Sequence, residues 1–277
     1  MISTIYLSKF KNKLYLNNHT TMKKKSFLAS FFIFLLTIFL FCNCQKNKEG
    51  IVFCFDDSSI DEWYFHRDLF NRYGIRATFF ITRPHQLDSN QIYKLKILES
   101  DGHEIACHAF SHKNANDYQI PEDYIDQQIK PALQKLQGIG FNVNSFAYPF
   151  GSSTPVLDSI LLDYFKIIRK ATYNYKNTTI DQYPEIYANA DTYRIVNAMG
   201  IDYNYHISVE NFEVGIKKGL KNKEILIVYA HIIDASNNDY TVHPEYLEKL
   251  FLKCKKHYIK SMTMNEMYHY FQKKINH

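Results

Sequence analysis

The residues best suited to chemistry in this sequence are two adjacent carboxylates and two nearby imidazoles. Asp56 and Asp57 directly follow the apolar run 51–55, and His108 and His112 stand four residues apart. Ionised carboxylates held this close repel each other unless a cation or a proton is shared between them. Two neutral imidazoles and one carboxylate suit Zn²⁺, and also Co²⁺ or Fe²⁺, and leave coordination positions open. We therefore predict that Asp57, His108 and His112 hold a divalent metal, while Asp56 stays free as a base.

The spacing of the two histidines is weak evidence when taken alone, because side chains four residues apart also share a face of any ordinary helix. The prediction gains support from the polar residues that fall just after predicted strands: Asp56, Asp57, His108, His112, the Pro149 turn and His231. In parallel β/α barrels the chemistry lies at the C-terminal ends of the strands. These residues are therefore expected to form one site.

From Ile51 onward, strand and helix patterns alternate along the chain. Short apolar runs predict strands at 51–55, 76–81, 104–107, 145–148, 166–169, 193–196, 224–230 and 258–261. Helical spacing predicts helices at 60–73, from Asp88 or Ser89 to Gly102, at 122–137, 155–164, 208–220 and 245–257, and from about 264. The stretch 171–190 has no clear period and is predicted to be a long loop on the active-site side. Repeated βα units imply a parallel sheet, and seven or eight of them fit a single distorted (β/α) barrel.

The beginning of the chain has the pattern of a targeting segment. Met22 and three lysines precede the apolar run 27–41, as in a secretory signal, and Met22 is a candidate for the true start. Cys44 stands where a bacterial lipoprotein signal is cut and its cysteine lipidated, although Phe41-Cys42-Asn43 matches the usual cleavage pattern loosely. We predict an exported, membrane-attached lipoprotein of a bacterial cell envelope. A retained membrane anchor and plain secretion remain open as alternatives.

This interpretation divides the chain into three parts: an N-terminal extension and signal segment over 1–44, a tether over 45–50 and a catalytic domain over 51–277. The formal charge of +5 belongs to the first part, because six of the 33 basic residues and no acidic residue precede Cys44. The remainder is nearly neutral, so we predict no nucleic-acid partner. The five cysteines include no CxxC pair, which argues against a cysteine-based zinc site.

Four segments in order resemble the motifs of the polysaccharide deacetylase family, the NodB homology domain of carbohydrate esterase family 4. They are Phe55-Asp56-Asp57, His108-Ala109-Phe110-Ser111-His112, Phe146-Ala147-Tyr148-Pro149-Phe150-Gly151 and Val228-Tyr229-Ala230-His231. The resemblance spans about 51–270. It implies a NodB-type barrel and a metal-dependent hydrolase that removes N-acetyl groups from an amino-sugar polymer or oligosaccharide.

The resemblance also implies roles for individual residues. Asp56 corresponds to the general base, and His231 corresponds to the general acid that protonates the leaving amine. Phe150 lies in the turn whose backbone N–H helps to bind the oxyanion. The metal ligands, usually of zinc, correspond to Asp57, His108 and His112.

The sequence departs from the family pattern at one charged position. The family often has an arginine two residues before the proline of the third motif, where it pairs with the base, and this chain has Ala147. Arg194 is one candidate for a substitute cation, and Asp191 or Asp202 is a candidate to orient His231. The only tryptophan, Trp63, lies in the first predicted helix and not in the expected Asp-Trp motif.

Two other functions remain open at this point. The missing arginine is compatible with a catalytically impaired carbohydrate-binding barrel, and the same metal site is compatible with an acetyl-ester hydrolase. The Tyr-rich stretch 173–187 is either a solvated loop or a platform for sugar rings. The sequence does not indicate the polymer or the oligomeric state.

Overall fold

The structure, a computed structural model, describes residues 50–174 and 178–276. The predicted signal segment, with Cys44, and nearly all of the predicted tether lie outside the described residues, so these expectations remain predictions. Within the described ranges, no helix combines the length and the hydropathy that a membrane span requires.

Seven parallel strands in the described part of the chain close into a barrel, which confirms the predicted fold class. In chain order the strands of the sheet are β1 (Gly50–Asp57), β2 (Ala77–Ile81), β3 (Glu104–Cys107), β4 (Ser145–Ala147), β5 (Ile167–Thr172), β6 (Tyr187–Ala188), β7 (Ile195–Gly200) and β8 (Ile225–Ala230). The barrel runs β1, β2, β3, β4, β5, β7, β8, and β8 pairs back onto β1. β6 pairs antiparallel with β8 and lies outside the closed ring.

Three further short strands lie at the two ends of the barrel: β9 (Ile232–Ile233), β10 (Thr241–Val242) and β11 (Lys260–Ser261). β9 and β10 pair with each other just after the C-terminal end of β8. β11 pairs in parallel with the first residues of β1, at the N-terminal end of the barrel.

Helices alternate with the strands. They are α1 (Ile60–Phe65), α2 (Arg67–Tyr73), α3 (Ser89–Ser100), α4 (Pro121–Tyr124), α5 (Lys130–Gly138), α6 (Pro155–Leu161), α7 (Val209–Asn222), α8 (Pro244–Lys256) and α9 (Met264–Ile275). Local chemistry sets their ends: Asp88 and Thr263 form capping boxes at the starts of α3 and α9, and Gly74 ends α2 in the left-handed conformation.

The alternation of side chains along β1 sorts its residues between two layers. Phe53 and Phe55 contact rings on the helices, since Phe53 lies 5.1 Å from Phe251 of α8 and Phe55 lies 5.5 Å from Phe70 of α2. The same alternation turns Asp56 to the opposite side, into the barrel. The alternating pattern of β1 therefore predicts that the Asp56 carboxylate points into the barrel.

Several predicted boundaries were wrong. The helix predicted over 60–73 is interrupted at His66, and the helix predicted over 122–137 contains a π-helical turn, Ile125–Ile129. Pro131 explains the second interruption, because it has no amide hydrogen for the carbonyl group four residues earlier. The predicted loop 171–190 includes the end of β5, two 3₁₀ turns and β6.

Gly200 allows the ends of β7 and β8 to be joined by aromatic side chains. A Cβ atom at this position would lie 2.2 to 2.5 Å from three atoms of the Tyr205 ring. The Tyr205 hydroxyl hydrogen-bonds to the Tyr229 hydroxyl on β8, two residues before His231. A glycine at the end of β7 is therefore required for the packing that supports the mouth of the barrel.

We predict that Gly200→Ala lowers the free energy of unfolding by about 1–3 kcal/mol, because the added methyl group overfills a packed site. The matched control is Gly138→Ala in α5, where an added Cβ meets no atom within 4 Å. That change should leave stability equal or up to about 1 kcal/mol higher. Urea unfolding followed by circular dichroism measures both, and equal midpoints for the two variants would contradict the packing argument.

Candidate functional site

The two carboxylates at the end of β1 face different partners. Asp56 is buried and directed to the barrel interior, where it pairs with Arg169. Asp57 has a φ of 80°, a left-handed conformation that non-glycine residues adopt rarely. This turn of the backbone takes Asp57 away from the helix side, where strand alternation would place it, and brings it to the rim near the two histidines.

Asp57, His108 and His112 form one cluster, as the sequence predicts. The Oδ1 atom of Asp57 lies 3.6 Å from Nε2 of His108 and 3.1 Å from Nε2 of His112. The three ligand atoms lie within 4.8 Å of one another. A set of two imidazoles and one carboxylate on one side of an ion leaves further positions open.

The ring of His108 is fixed by a bond to the neighbouring strand. Its Nδ1 lies 2.8 Å from the carbonyl oxygen of Ala147 in β4, so Nδ1 carries the proton and donates it. Nε2 is therefore left as a lone-pair donor that faces Asp57. Burial lowers the pKa of His108 to about 4, which keeps the imidazole neutral at pH 7, as a metal ligand must be.

The loop that carries His112 is held by Gln128, a residue of the π-helical turn. Both the backbone N–H and the hydroxyl of Ser111 lie 3.0 Å from Oε1 of Gln128, whose amide nitrogen also donates to the hydroxyl of Tyr118. The wider turn before Pro131 thus places an amide group under the loop that carries His112. π-Helical turns of this kind occur frequently at functional sites.

The hydrogen bonding and the pKa of the Asp57 carboxylate indicate that the cluster fits a divalent cation. Asp57 Oδ1 is buried and, in the described part of the chain, receives no hydrogen bond. Burial alone would raise the pKa of Asp57, but the adjacent imidazole of His112 and, more weakly, the nearby His108 and His231 rings hold it below the usual range. An ionised oxygen without a donor, facing two imidazole nitrogens, is the environment that a cation would complete.

Arg169 supplies the positive charge that the family pattern would place at position 147, where this chain has alanine. Its side chain on β5 is 1% exposed and forms an ion pair with Oδ2 of Asp56. The guanidinium lies 4.7 Å from the centre of the Tyr229 ring and 5.3 Å from that of Phe80. Burial opposes the charge of Arg169, but Asp56 outweighs it and the pKa of the guanidinium is raised.

The prediction that Arg194 substitutes for the missing arginine was wrong. Arg194 donates to the carbonyl groups of Lys166 and Leu162, before the start of β5 and away from Asp56. The cation is Arg169, which is the register partner of Ala147 on the adjacent strand. A charged residue inside an apolar strand was the available signal, because a buried charge requires a partner.

His231 is oriented by Asp202, one of the two residues that the sequence suggested. The Oδ2 atom of Asp202 lies 2.6 Å from Nδ1 of His231, and Oδ1 accepts the His231 backbone N–H at 3.0 Å. Trp63 donates its indole N–H to the carbonyl oxygen of His231. Burial would lower the pKa of His231, but Asp202 raises it overall. Asp191 lies elsewhere, in an exposed local turn with Asn189.

Phe150 lies in a tight turn beside the cluster, with a φ of 61°. Its ring centre is 4.8 Å from that of His112. The next residue, Gly151, packs against β5 so closely that a Cβ atom would lie 2.4 Å from the Cβ of Ala171. The turn is thus fixed next to the cluster, and the role of the Phe150 N–H in binding an oxyanion remains a prediction.

Part of this chain matches a known protein family. Residues 44–175 match the family model described as Polysaccharide deacetylase. The comparison with curated proteins gives no match.

Three solved structures are similar to this chain. The Xyl-CE4 domain of a multidomain xylanase from the hindgut metagenome of Trinervitermes trinervoides has a TM-score of 0.55 at 18% identity, over 82% of this chain and 92% of that one. The chitin deacetylase from the fungal pathogen Colletotrichum lindemuthianum has a TM-score of 0.54 at 19% identity, over 79% and 88%. The peptidoglycan deacetylase PdaC from Bacillus subtilis has a TM-score of 0.52 at 13% identity, over 83% and 94%. At these identities the similarity shows a shared fold.

We predict that Arg169→Met lowers the free energy of unfolding by about 3–5 kcal/mol, because it leaves the Asp56 carboxylate buried without its cation. The double variant with Asp56→Asn should recover part of this loss, with a coupling energy of about 1–3 kcal/mol. Urea unfolding of the two single variants and the double variant measures the coupling. Arg194→Met is the matched control and should show no coupling to Asp56→Asn. Strictly additive effects of the two substitutions would show that the pair does not act as a unit.

Proposed function

Because this chain belongs to the polysaccharide deacetylase family, as its match to that family's model shows, we propose that it is a metal-dependent hydrolase of N-acetyl groups on an amino-sugar polymer or oligosaccharide. The observation that carries the proposal is the convergence of three groups of side chains at one rim of the barrel. The Asp57, His108 and His112 cluster lies beside Asp56, which is paired with Arg169, and His231, which is paired with Asp202.

Asp57, His108 and His112 would hold the cation, for which we propose zinc, with Co²⁺ or Fe²⁺ as alternatives. Such an ion supplies a Lewis acid, which polarises a carbonyl group and makes water more acidic. The bond from His108 to Ala147 and the hold of Gln128 on Ser111 keep both imidazoles in place before substrate arrives. The site is therefore preorganised, so little reorganisation is needed during the reaction.

The remaining residues would divide the proton transfers of amide hydrolysis. Asp56 accepts a proton from the attacking water, and the ion pair with Arg169 holds this carboxylate in position. The Phe150 N–H donates to the oxygen that becomes negative in the transition state, an interaction typically worth about 3 kcal/mol. His231, protonated at Nε2 and held through Nδ1 by Asp202, gives its proton to the leaving amine.

Arg169 argues against the alternative function, a carbohydrate-binding barrel that has lost catalysis. That alternative depends on the absence of a cation at Ala147, and Arg169 occupies the neighbouring register position. Acetate release from acetylated xylan, measured beside release from N-acetylglucosamine oligomers, separates an amide substrate from an acetyl ester. The export and the lipid attachment at Cys44, predicted from the sequence, would place the protein where such polymers occur.

The first test measures metal and product together. We expect the purified mature protein to contain about one divalent ion per chain and to release acetate from N-acetylglucosamine oligomers. Chelation should abolish release and added Zn²⁺ should restore it. His108→Ala should lose both the ion and the activity, and the exposed His269→Ala on α9 should keep both. Undiminished acetate release after complete removal of the metal would falsify the proposal.

The second test addresses His231. Asp202 raises the pKa of His231, so the protonated acid persists to higher pH than it would without the carboxylate. Asp202→Asn removes this effect and lowers the pKa, so the basic limb of the kcat/KM profile should move to lower pH. The rate at the optimum should also fall, by up to about 10². A profile with the basic limb of the wild type would mean that His231 is not the acid.

A further inference from the structure

Many lysines of the last third of the chain are concentrated in two short segments. The segments 217–224 and 249–260, which include the second halves of α7 and α8 and the loops that follow them, contain nine lysines and one acidic residue. Residues 51–277 as a whole contain 25 basic and 27 acidic residues, so this positive charge is local. We name the exposed members the lysine face: Lys217, Lys221, Lys223, Lys249, Lys255, Lys256 and Lys260.

The two segments lie side by side because one buried carboxylate binds both helices. Glu213 of α7 is 8% exposed and forms ion pairs with Lys253 and Lys256 of α8, the latter at 2.9 Å, and accepts from Nε2 of His257 at 2.7 Å. Both helices begin at the mouth of the barrel, and α8 leads into β11, which pairs with the first residues of β1. The lysine face therefore lies toward the N-terminal end of the barrel, away from the candidate site.

Most of the lysine face is not used in ion pairs. Within the described ranges, five of its members form none: Lys221, Lys223, Lys249, Lys255 and Lys260. The helix dipole favours a lysine in the last turn of a helix, which accounts for Lys221 and Lys255. It does not account for Lys249, in the second turn of α8, or for Lys260, which follows the end of that helix. Unpaired like charges on one surface repel each other, and an anionic partner removes this repulsion.

Two apolar side chains project from the same surface. Leu252, between Lys249 and Lys255 on α8, is 46% exposed, and Tyr258 is 77% exposed. Tyr258 has a φ of 54°, so its ring is presented from a tight turn. Tyrosine favours the boundary between lipid and water, and the long apolar stem of lysine lets its charge reach the headgroups. Lysines interspersed with exposed tyrosine and leucine are typical of surfaces that lie on anionic lipid.

The chain enters the barrel at the end where this surface lies. Gly50, the first residue of β1, is the Cα partner of Lys260. The six residues from Cys44, the predicted lipid attachment site, to Gly50 can span at most about 20 Å. A lipid carried at Cys44 would therefore keep the lysine face close to a bilayer. This connection favours a membrane over a nucleic acid or another soluble polyanion as the partner.

We propose that the lysine face, together with Leu252 and Tyr258, is a docking surface for the anionic headgroups of a phospholipid bilayer. Docking holds the N-terminal end of the barrel against the membrane and turns the mouth, at the other end, away from it. A substrate then reaches the mouth from the aqueous side and not from within the lipid layer. The inference concerns how the protein is placed, and it holds whatever reaction takes place at the mouth.

The first experiment measures binding to vesicles without the lipid anchor. It uses the mature chain, residues 44–277, with Cys44→Ser, which contains every described strand and helix. We expect it to sediment with vesicles of phosphatidylcholine that contain about one third phosphatidylglycerol, and at least about tenfold more weakly with phosphatidylcholine alone. High salt should release it, because salt screens the attraction. Equal binding to both kinds of vesicle, or binding to neither, would overturn the proposal.

The second experiment removes charge from the lysine face. The combined variant Lys221→Gln, Lys255→Gln and Lys260→Gln loses three exposed charges that have no ion-pair partner in the described part of the chain. Its binding to the anionic vesicles should fall at least about tenfold, because each lysine near an anionic surface contributes to the attraction. Circular dichroism during urea unfolding shows whether the variant is folded.

The matched control removes three exposed lysines on the other side of the barrel: Lys113, Lys130 and Lys135. They lie after β3 and on α5, which leads to β4, and β4 is three steps from β8 in the closed ring. The corresponding triple glutamine variant should bind within about twofold of the parent chain, although its net charge falls by the same amount. An equal loss of binding in both triple variants would show that net charge, and not the lysine face, governs the attraction.

The third experiment determines which end of the barrel lies on the bilayer. Tyr258→Trp introduces an indole at the lysine face, and Tyr240→Trp introduces one at the mouth, where the native ring lies 5.2 Å from that of His231. The native Trp63 is fully buried and serves as the reference. Brominated lipid in the anionic vesicles should quench the indole at position 258 and leave the one at position 240 bright. The reverse pattern would overturn the proposal, as would retention on immobilised polyphosphate by a chain that binds no vesicle.

Discussion

The buried ion pair between Asp56 and Arg169 is the interaction on which the rest of the site depends. Both side chains are almost fully excluded from water, and an unpaired charge at this depth would cost several kcal/mol. The pair joins β1 to β5 through the interior of the barrel. It therefore fixes the carboxylate that we assign as the base, and it does so from the strand next to the turn that carries Phe150. This one ion pair thus fixes the position of the Asp56 carboxylate relative to the rest of the site.

Around this pair, the mouth of the barrel is built on backbone positions that are individually unfavourable. Asp57, Ala109, His112, Phe150 and Tyr240 all have positive φ without being glycine. Each costs of the order of 1–3 kcal/mol, so each requires compensation elsewhere. The compensation comes from rigid supports just beneath the mouth: Gln128 in the π-helical turn, Gly151 against β5 and Gly200 against Tyr205. The unfavourable backbone conformations at the rim are therefore maintained by the close packing beneath them.

The sequence predicts the barrel and the proximity of Asp57, His108 and His112 well, because both depend on local patterns. An apolar run followed by Asp56 and Asp57 indicates a strand end, and parallel strands bring their C-terminal ends together. The sequence predicts the roles of Arg169 and Gln128 poorly, because these roles depend on which residues become neighbours across strands and turns. Asp202 stayed one of two candidates because the predicted strand over 193–196 ends four residues before β7 does. Only the longer strand delivers Asp202 to the rim.

The position of Arg169 shows why the absence of a motif residue is a weak argument for loss of function. Ala147 and Arg169 are Cα partners on adjacent parallel strands, which lie about 4.8 Å apart. A long arginine side chain can reach Asp56 from either strand, since what matters is where the guanidinium lies. The charge is therefore a property of a location in the barrel, and the chain can supply it from more than one place in the sequence.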